Sequence, residues 1–306
     1  MSNLGNVIEI ESLCKSFGDV RAVRSLSFSV REGELFAFLG VNGAGKSTTI
    51  GIICGKLEKD GGRVVVCGRD TELGYDDIKG ELGVVFQNSL LDGALSVEDN
   101  LRSRAALYGV VGESFRLRLS ELCELLDFSD ILKRPVGKLS GGQRRRIDVA
   151  RALIHKPRIL ILDEPTTGLD PQTRRNLWNV IHDLQKNEGM TVFLTTHYME
   201  EAADADYVVI IDSGEIAAKG SPLELKNTYA GDYITLYGVD EASVKALGYD
   251  YEQIRDAYRL SVPNVGVATE LIIAHPEIFV DYEIVKGKMD DVFLAVTGKK
   301  LGEADK

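Results

Sequence analysis

An almost unbroken apolar run, Leu35-Phe36-Ala37-Phe38-Leu39, leads directly into Gly40-Val41-Asn42-Gly43-Ala44-Gly45-Lys46-Ser47-Thr48, and Ser47 to Cys54 continues with helical character. Strand, glycine turn and helix in that order leave few folds open. The spacing fits G-x-x-x-x-G-K-[ST], a loop that curls its backbone N–H groups toward phosphate oxygens at the positive end of a helix dipole. In such a loop Lys46 reaches the β- and γ-phosphates of a nucleotide and the Ser47 hydroxyl ligates Mg2+. The competing reading is an incidental glycine turn, which the strand-loop-helix setting disfavours.

The surrounding pattern extends that unit into a larger domain. From Val7 to Leu13 and from Leu26 to Val30 apolar and polar residues alternate, the period of half-buried strands, so the chain opens with antiparallel β structure. Between Val97 and Lys156 the period becomes helical, with Val97, Leu101 and Ala105 on one face and Leu119, Leu122 and Leu126 on another. Strand-length apolar runs then recur at Ile159–Leu162, Thr191–Thr195 and Tyr207–Ile211, separated by a helix from Pro171 to about Lys186 and a short one near Tyr198 to Ala203. Alternation of this kind predicts a mostly parallel sheet covered on both faces. A short helix from Ser221 to Tyr229 and a turn at Gly231-Asp232 close the domain, expected over residues 1–229 with a helical subdomain at about 88–157. Residues 230–306 read as a small α+β extension. Its strands are expected at 233–237, 258–262 and 279–284, its helices at 241–247, 267–274 and 289–296, and a disordered tail from Gly298.

Composition sets outer limits. With 306 residues and 44% hydrophobic content the chain can bury a sizeable core without metal or disulfide staples. A formal charge of −11 argues against a broad grip on nucleic acid, so no nucleic-acid partner is expected. The densest basic run, Arg144-Arg145-Arg146, opens a helix and is expected to be a solvated face or a set of structural partners. Cys14, Cys54, Cys67 and Cys123 are scattered without a CxxC pair and are expected to be small buried thiols in a reducing compartment. The first residues lack the basic start and apolar core of a signal peptide, and no apolar run approaches the ~20 residues that span a bilayer. A cytoplasmic protein with no membrane path of its own is expected.

Two further motifs carry chemistry. Asp163 ends the apolar strand Ile159-Leu160-Ile161-Leu162, which places its carboxylate at the sheet's carboxyl edge beside the phosphate loop, the natural partner of Mg2+. Two acids merely capping a strand would be the plainer account of Asp163 and Glu164 if no phosphate loop existed. Leu139-Ser140-Gly141-Gly142-Gln143 precedes a helix with Ile147, Ala150 and Ile154 on one face. Ser140 can cap that helix, and Gly141 and Gly142 leave room for close backbone approach to an anion. A plain capped helix start would explain the serine and glycines but not their place ahead of Asp163-Glu164.

In this order the motifs resemble the nucleotide-binding domain of ATP-binding-cassette (ABC) proteins over roughly residues 5–225. The resemblance implies an α/β phosphate-loop NTPase cassette with a mostly parallel core, an antiparallel β subdomain and a helical subdomain. It implies that Glu164 orients and polarises the attacking water, that Gln87 contacts Mg2+ and that water, and that His197 links the γ-phosphate to the base. It implies that Ser140, Gly141, Gly142 and Gln143 meet ATP held by the phosphate loop of a second copy or paralogue, in a head-to-tail dimer across which Asp170 communicates. Phe17 resembles the aromatic that stacks on adenine, although tyrosine is usual there and a core phenylalanine is the alternative. Phe86 to Asp92 and Leu95 to Leu101, followed by Ala105 to Val110, look like the drug-resistance and ABC-2 export branch, which often has a less regular signature than LSGGQ. An exporter ATPase driving a separate transmembrane permease, and held by it at the inner face of the cell membrane, is the expectation. An importer ATPase, or a soluble ABC ATPase acting on ribosomes or DNA, is the alternative. A nucleotide sensor without turnover is disfavoured, since Glu164 and His197 are both present.

Overall fold

The computed structural model describes residues 5–299, which fall into two compact units. One runs to His197 and takes up Ala205–Ile216; the other holds Tyr198–Asp204 and the chain from Ala217 onward. Most of the expectation for the tail concerns residues 300–306, outside the described residues.

Two sheets make the first unit. Strands β1 (Asn6–Phe17) and β2 (Val20–Arg31) form an antiparallel pair, which β4 (Gly61–Val66) and β5 (Arg69–Asp70) extend in the order β2-β1-β4-β5. The alternation foreseen at Val7–Leu13 and Leu26–Val30 is seen directly: Ile8, Ile10, Leu13, Leu26, Phe28 and Val30 are buried. The second sheet has a parallel core in the order β9 (Tyr207–Asp212), β3 (Leu35–Leu39), β8 (Thr191–Thr196), β7 (Ile159–Asp163), β6 (Leu82–Val85). In β3, β7 and β8 every residue is buried, as strands covered on both faces require. The two sheets are joined by a phenylalanine cluster. Phe28 of β2 lies with ring centroids 5.3 Å from Phe36 and 5.2 Å from Phe38 of β3, and Phe36 lies 5.1 Å from Phe193 of β8. Such contacts add about 0.5–1.5 kcal/mol each beyond the area they bury.

Helix α1 (Lys46–Ile53) follows β3, and α2 (Tyr75–Ile78) precedes β6. The helical region consists of α3 (Val97–Ala106), α4 (Gly112–Leu126) and α5 (Gly141–Leu153), with short 3-10 turns at Ser129–Ile131 and Val136–Lys138. The faces read from the sequence are the buried ones, Val97, Leu101 and Ala105 in α3 and Leu119, Leu122 and Leu126 in α4. Helix α6 (Pro171–Glu188) covers β8 and ends at Gly189, whose φ of 67° is the left-handed cap expected after a helix.

In the second unit, α7 (Met199–Ala202) joins a chain that resumes at Ala217, within β10 (Glu215–Gly220), and continues through α8 (Pro222–Leu225) and a π turn at Lys226–Ala230. The π turn replaces the second half of the helix expected at Ser221–Tyr229. An antiparallel sheet follows in the order β12 (Tyr251–Ile254), β13 (Ala257–Val262), β11 (Asp232–Tyr237), β14 (Tyr282–Lys286). With it go α9 (Glu241–Ala246), α10 (Val265–Ala274) and α11 (Met289–Thr297). The α+β character is as expected, with two differences. β12 has a largely exposed face that gives no apolar alternation, and the last strand begins at Tyr282 because Phe279 is buried in the core ahead of it.

Among the described residues no helix is long and apolar enough to cross a membrane. Cys54 is buried, and Cys14, Cys67 and Cys123 are half-buried.

His155 shows how the helical region is fastened to the sheet. Its ring stacks on Tyr108 with centroids 3.9 Å apart, and its Nε2 lies 3.1 Å from the Leu82 carbonyl at the start of β6. Burial holds its pKa down to about 4, against an ordinary value of 6.5. The folded ring is neutral while the unfolded ring takes up a proton as the pH falls from 6.5 to 4, so the associated stability is complete above 6.5 and lost across that window. We expect wild type to lose about 1 kcal/mol more than His155→Gln between pH 7 and pH 5, after allowance for solvent screening. Urea unfolding followed by the fluorescence of Trp178, the single tryptophan, measures it; equal losses in both proteins would refute it.

Candidate active site

The parallel register brings four chain segments to one edge. Leu39 pairs with Thr196 and Asp163 with Thr195, so β3, β7 and β8 end at the same level. Past those ends lie the glycine loop after β3, Glu164 after β7, His197 after β8 and Gln87 just beyond β6. Open α/β sheets bind ligands at this carboxyl edge.

Lys46 opens α1 and is only 5% exposed. Its Nζ donates to the carbonyls of Gly40 at 2.7 Å and Val41 at 3.2 Å, and lies 3.6 Å from Glu164 Oε1. Burial pushes the ammonium below its ordinary pKa, and the Glu164 and Asp163 carboxylates push the other way. An ammonium so placed is a strong site for phosphate oxygens, since removal from water has already raised the cost of leaving its charge uncompensated. Asn42 and Gly43 are exposed at the loop tip, Ala44 is buried, and Ser47 and Thr48 follow Lys46 with Ser47 exposed. Gly45 has a φ of 108°, and a Cβ there would lie 2.5 Å from the Ala22 carbonyl of β2. Its lack of a side chain is therefore imposed by the neighbouring strand as well as by the loop's curl.

Glu164 is the hub. Its Oε2 accepts from Gln87 Nε2 at 3.3 Å and from Thr167 Oγ1 at 3.4 Å, and lies 3.4 Å from His197 Nδ1. The backbone at Glu164 has a φ of 47°, a left-handed conformation that side-chain-bearing residues adopt at a cost. Its N–H compensates by donating to the Thr195 carbonyl at 3.0 Å and to Thr195 Oγ1 at 3.2 Å. Lys46, Gln87, Glu164 and His197, widely separated in sequence, are thus brought together.

Asp163 ends β7 and is 7% exposed, with Oδ1 accepting from Thr195 Oγ1 at 2.6 Å. Burial raises its carboxyl pKa, and the Thr195 hydroxyl and the Lys46 charge oppose that rise. The Ser47 hydroxyl, the Gln87 carboxamide and the Asp163 carboxylate are hard oxygen donors of the kind that suit Mg2+. No group of three or more His, Cys, Asp or Glu able to hold a metal ion occurs among the described residues. The donors therefore fit an ion that takes several of its ligands from phosphate and water rather than from a protein cage.

The Ser140–Gln143 segment has a different surrounding. Ser140 caps α5, its Oγ accepting from Gln143 N at 3.2 Å while Gln143 Oε1 accepts from Ser140 N at 3.0 Å. This reciprocal capping box leaves the remaining first-turn N–H groups of α5 directed outward. The two glycines differ. A Cβ at Gly141 would meet nothing within 4 Å, whereas one at Gly142 would lie 2.5 Å from Thr173 Cγ2. Thr173 cannot swing aside freely, because its Oγ1 bonds Asp170 Oδ2 at 2.5 Å. Asp170 in turn caps α6 by accepting from the N–H groups of Gln172 and Thr173. Gly142 and Asp170 are thus joined through Thr173 within one chain, a packing reason for the glycine that the motif alone does not reveal. Phe17, at the end of β1, is 49% exposed with Lys15 Nζ 5.5 Å from its ring centre, so it is not a core residue.

The basic run Arg144-Arg145-Arg146 is not a uniformly solvated face. Arg146 donates to the carbonyls of Leu126 and Asp127 at the end of α4. Arg145 is 7% exposed and bonds carbonyls of Phe86 just after β6, of Asp163 at the end of β7 and of the turn after β7. Sequence reasoning allowed structural partners for this run without locating them, because the partners come from elements distant in sequence.

The model of the ABC transporter family matches residues 23–167. The Nod factor export ATP-binding protein I of Ralstonia nicotianae is 35% identical over 305 residues, covering 96% of this chain and 95% of that protein. A daunorubicin resistance ATP-binding protein of Streptomyces coeruleorubidus is 34% identical over 311 residues, covering 97% and 96%. Among solved structures, the dimeric post-hydrolysis state of an ATP-binding cassette bound to ADP and phosphate superposes with a TM-score of 0.65 at 26% identity, covering 70% of this chain and 98% of that one.

Gly142→Ala should lower stability by about 1–3 kcal/mol through overpacking against Thr173. Adding Thr173→Ser, which removes the clashing methyl and keeps the hydroxyl, should return most of it, while Gly141→Ala should stay within about 0.5 kcal/mol of wild type. Urea midpoints of the three proteins decide it; equal losses at Gly141 and Gly142 would contradict the packing account.

Proposed function

Because the chain belongs to the ABC transporter family as one of its ATP-binding subunits, we propose that the carboxyl edge of its parallel sheet is one half of an ATPase site completed by a second cassette. The observation that carries this reading is the convergence of Lys46, Gln87 and His197 on the Glu164 carboxylate.

In this reading the loop from Gly40 to Thr48 wraps the phosphates of ATP, and Lys46 exchanges its bonds to the loop carbonyls for β- and γ-phosphate oxygens. Phe17, half-exposed, supplies a face for the adenine. Glu164 orients a water in line with the γ-phosphorus and accepts its proton as the water oxygen bonds phosphorus and the bond to the bridging oxygen breaks, giving ADP and phosphate. Gln87 and His197 hold the carboxylate at the angle this requires. Ser47, Gln87 and Asp163 would hold Mg2+, which offsets the charge developing on the phosphates.

The second half is the signature segment of another chain. Ser140, Gly141, Gly142 and Gln143 of one cassette face the γ-phosphate held by its partner, and Asp170 lies beside that seam. The dimeric state of the similar cassette supports this arrangement. Residues 1–229 act as the cassette and 230–306 as its extension. The names of the relatives support an export role, with a separate membrane permease reading the opening and closing of the dimer from the inner face of the membrane.

Glu164→Gln should keep ATP affinity, lower hydrolysis by about 10^2–10^4-fold and accumulate as an ATP-bound dimer. Light scattering in MgATP and phosphate release measure the two effects. A monomeric variant with parental turnover would overturn both the base and the two-chain site. Ser140→Arg should bind ATP as a single chain and fail to dimerise.

A further inference from the structure

Arg145 sits in the second turn of α5, the helix that the signature segment opens. Its Nε donates to the Pro165 carbonyl at 2.6 Å, and its Nη2 to those of Asp163 at 3.2 Å and Glu164 at 3.0 Å. Three successive carbonyls, bracketing the residue that carries the hub carboxylate, are therefore held by one side chain. Its Nη1 donates to the Phe86 carbonyl at 2.6 Å. Phe86 immediately precedes Gln87, whose amide bonds the same carboxylate.

A guanidinium presents its donors in a rigid planar fork, so these four acceptors cannot shift independently of one another. They cannot shift independently of α5 either. Glu164 needs such a hold, because its left-handed backbone is stable only where the surroundings fix it from more than one side. Thr195 fixes its N–H from β8, and Arg145 fixes its carbonyl and both neighbouring carbonyls from α5. The buried cation is itself satisfied by carbonyl dipoles, with Asp148 and Asp163 close enough to support its charge.

We propose that Arg145 is a positioning residue for ATP hydrolysis, fixing Glu164 and Gln87 to the signature helix so that the placement of the carboxylate follows the placement of α5. A movement of the signature segment as a second cassette closes on it is then felt at the carboxylate of the same chain. The proposal rests on the reading of Glu164 as the group that orients the water.

The test uses the full chain in MgATP, with kcat and KM from phosphate release and ATP affinity from equilibrium binding. Lysine in place of arginine keeps the charge and loses the fork. Arg145→Lys should lower kcat at least about 30-fold while ATP affinity stays within about threefold. In a Glu164→Gln background the same change should alter the residual rate by less than about twofold, since the group it positions is no longer functional. Arg145→Ala should recover kcat at least about tenfold on addition of methylguanidinium, with ATP affinity unaltered. An unchanged kcat in Arg145→Lys, an undiminished loss in the Glu164→Gln background, or no recovery in a folded Arg145→Ala protein would overturn the proposal. So would unfolding of both variants with loss of ATP binding, which would leave Arg145 a structural bond alone. Parental turnover in Glu164→Gln by itself would instead overturn the role of Glu164, and the single variants tell the two failures apart.

Discussion

The register of β3, β8 and β7 is the constraint on which the rest of the molecule depends. Parallel strands whose ends are level put whatever follows each of them into one small volume, and here those followers are a phosphate-binding loop, a histidine and a carboxylate. The register is itself secured by burial: all three strands are covered on both faces, so a slip by one residue would exchange every buried side chain for its neighbour. The phenylalanine cluster of Phe28, Phe36, Phe38 and Phe193 locks the antiparallel sheet onto the same strands. It also brings Ala22 against Gly45, so the curl of the loop and the placement of β2 are parts of one packing solution.

Charge is arranged around this edge in a graded way. Lys46 and Asp163 are both shifted toward their neutral forms by burial, and each is partly restored by the other's field. In the proposed reading, a polyanion with a divalent cation would relieve both at once, a physical reason for such a site to favour a metal-nucleotide over either component alone. Arg145, also buried, meets neither of them as a salt-bridge partner and instead spends its donors on backbone. In the proposed reading, that distinction separates the cation that meets substrate from the cation that shapes the site.

Much of this was legible in the sequence where the signal is local. The apolar strand before Gly40, the alternation in β1 and β2, the helical faces of α3 and α4, and the capping serine at 140 are all short-range patterns, and each has its structural counterpart. What escaped is long-range or weakly patterned. Nothing in Arg144-Arg145-Arg146 says which arginine turns inward, because its partners lie at and beyond the ends of β6 and β7. The packing reason for Gly142 appears only when Thr173, on another helix, is placed against it. The short edge strands β5 and β12 bury too little to impose an alternation, and the π turn after α8 interrupts a helix without a proline or glycine to announce it.

The level strand ends have a consequence for how such a chain can change. Lys46, Gln87, Asp163, Glu164 and His197 all follow or end strands at the carboxyl edge of the parallel sheet, while the returns into β7 at Pro157 and into β8 at Gly189 lie at the opposite edge. Insertions or exchanges at those distal turns lengthen connections that the site does not use, at a loop-closure cost that grows only slowly with length. Lineages descended from such a chain are therefore free to diversify on one side of the sheet while the other side stays fixed, and sequence drift should be distributed as unevenly as the chemistry.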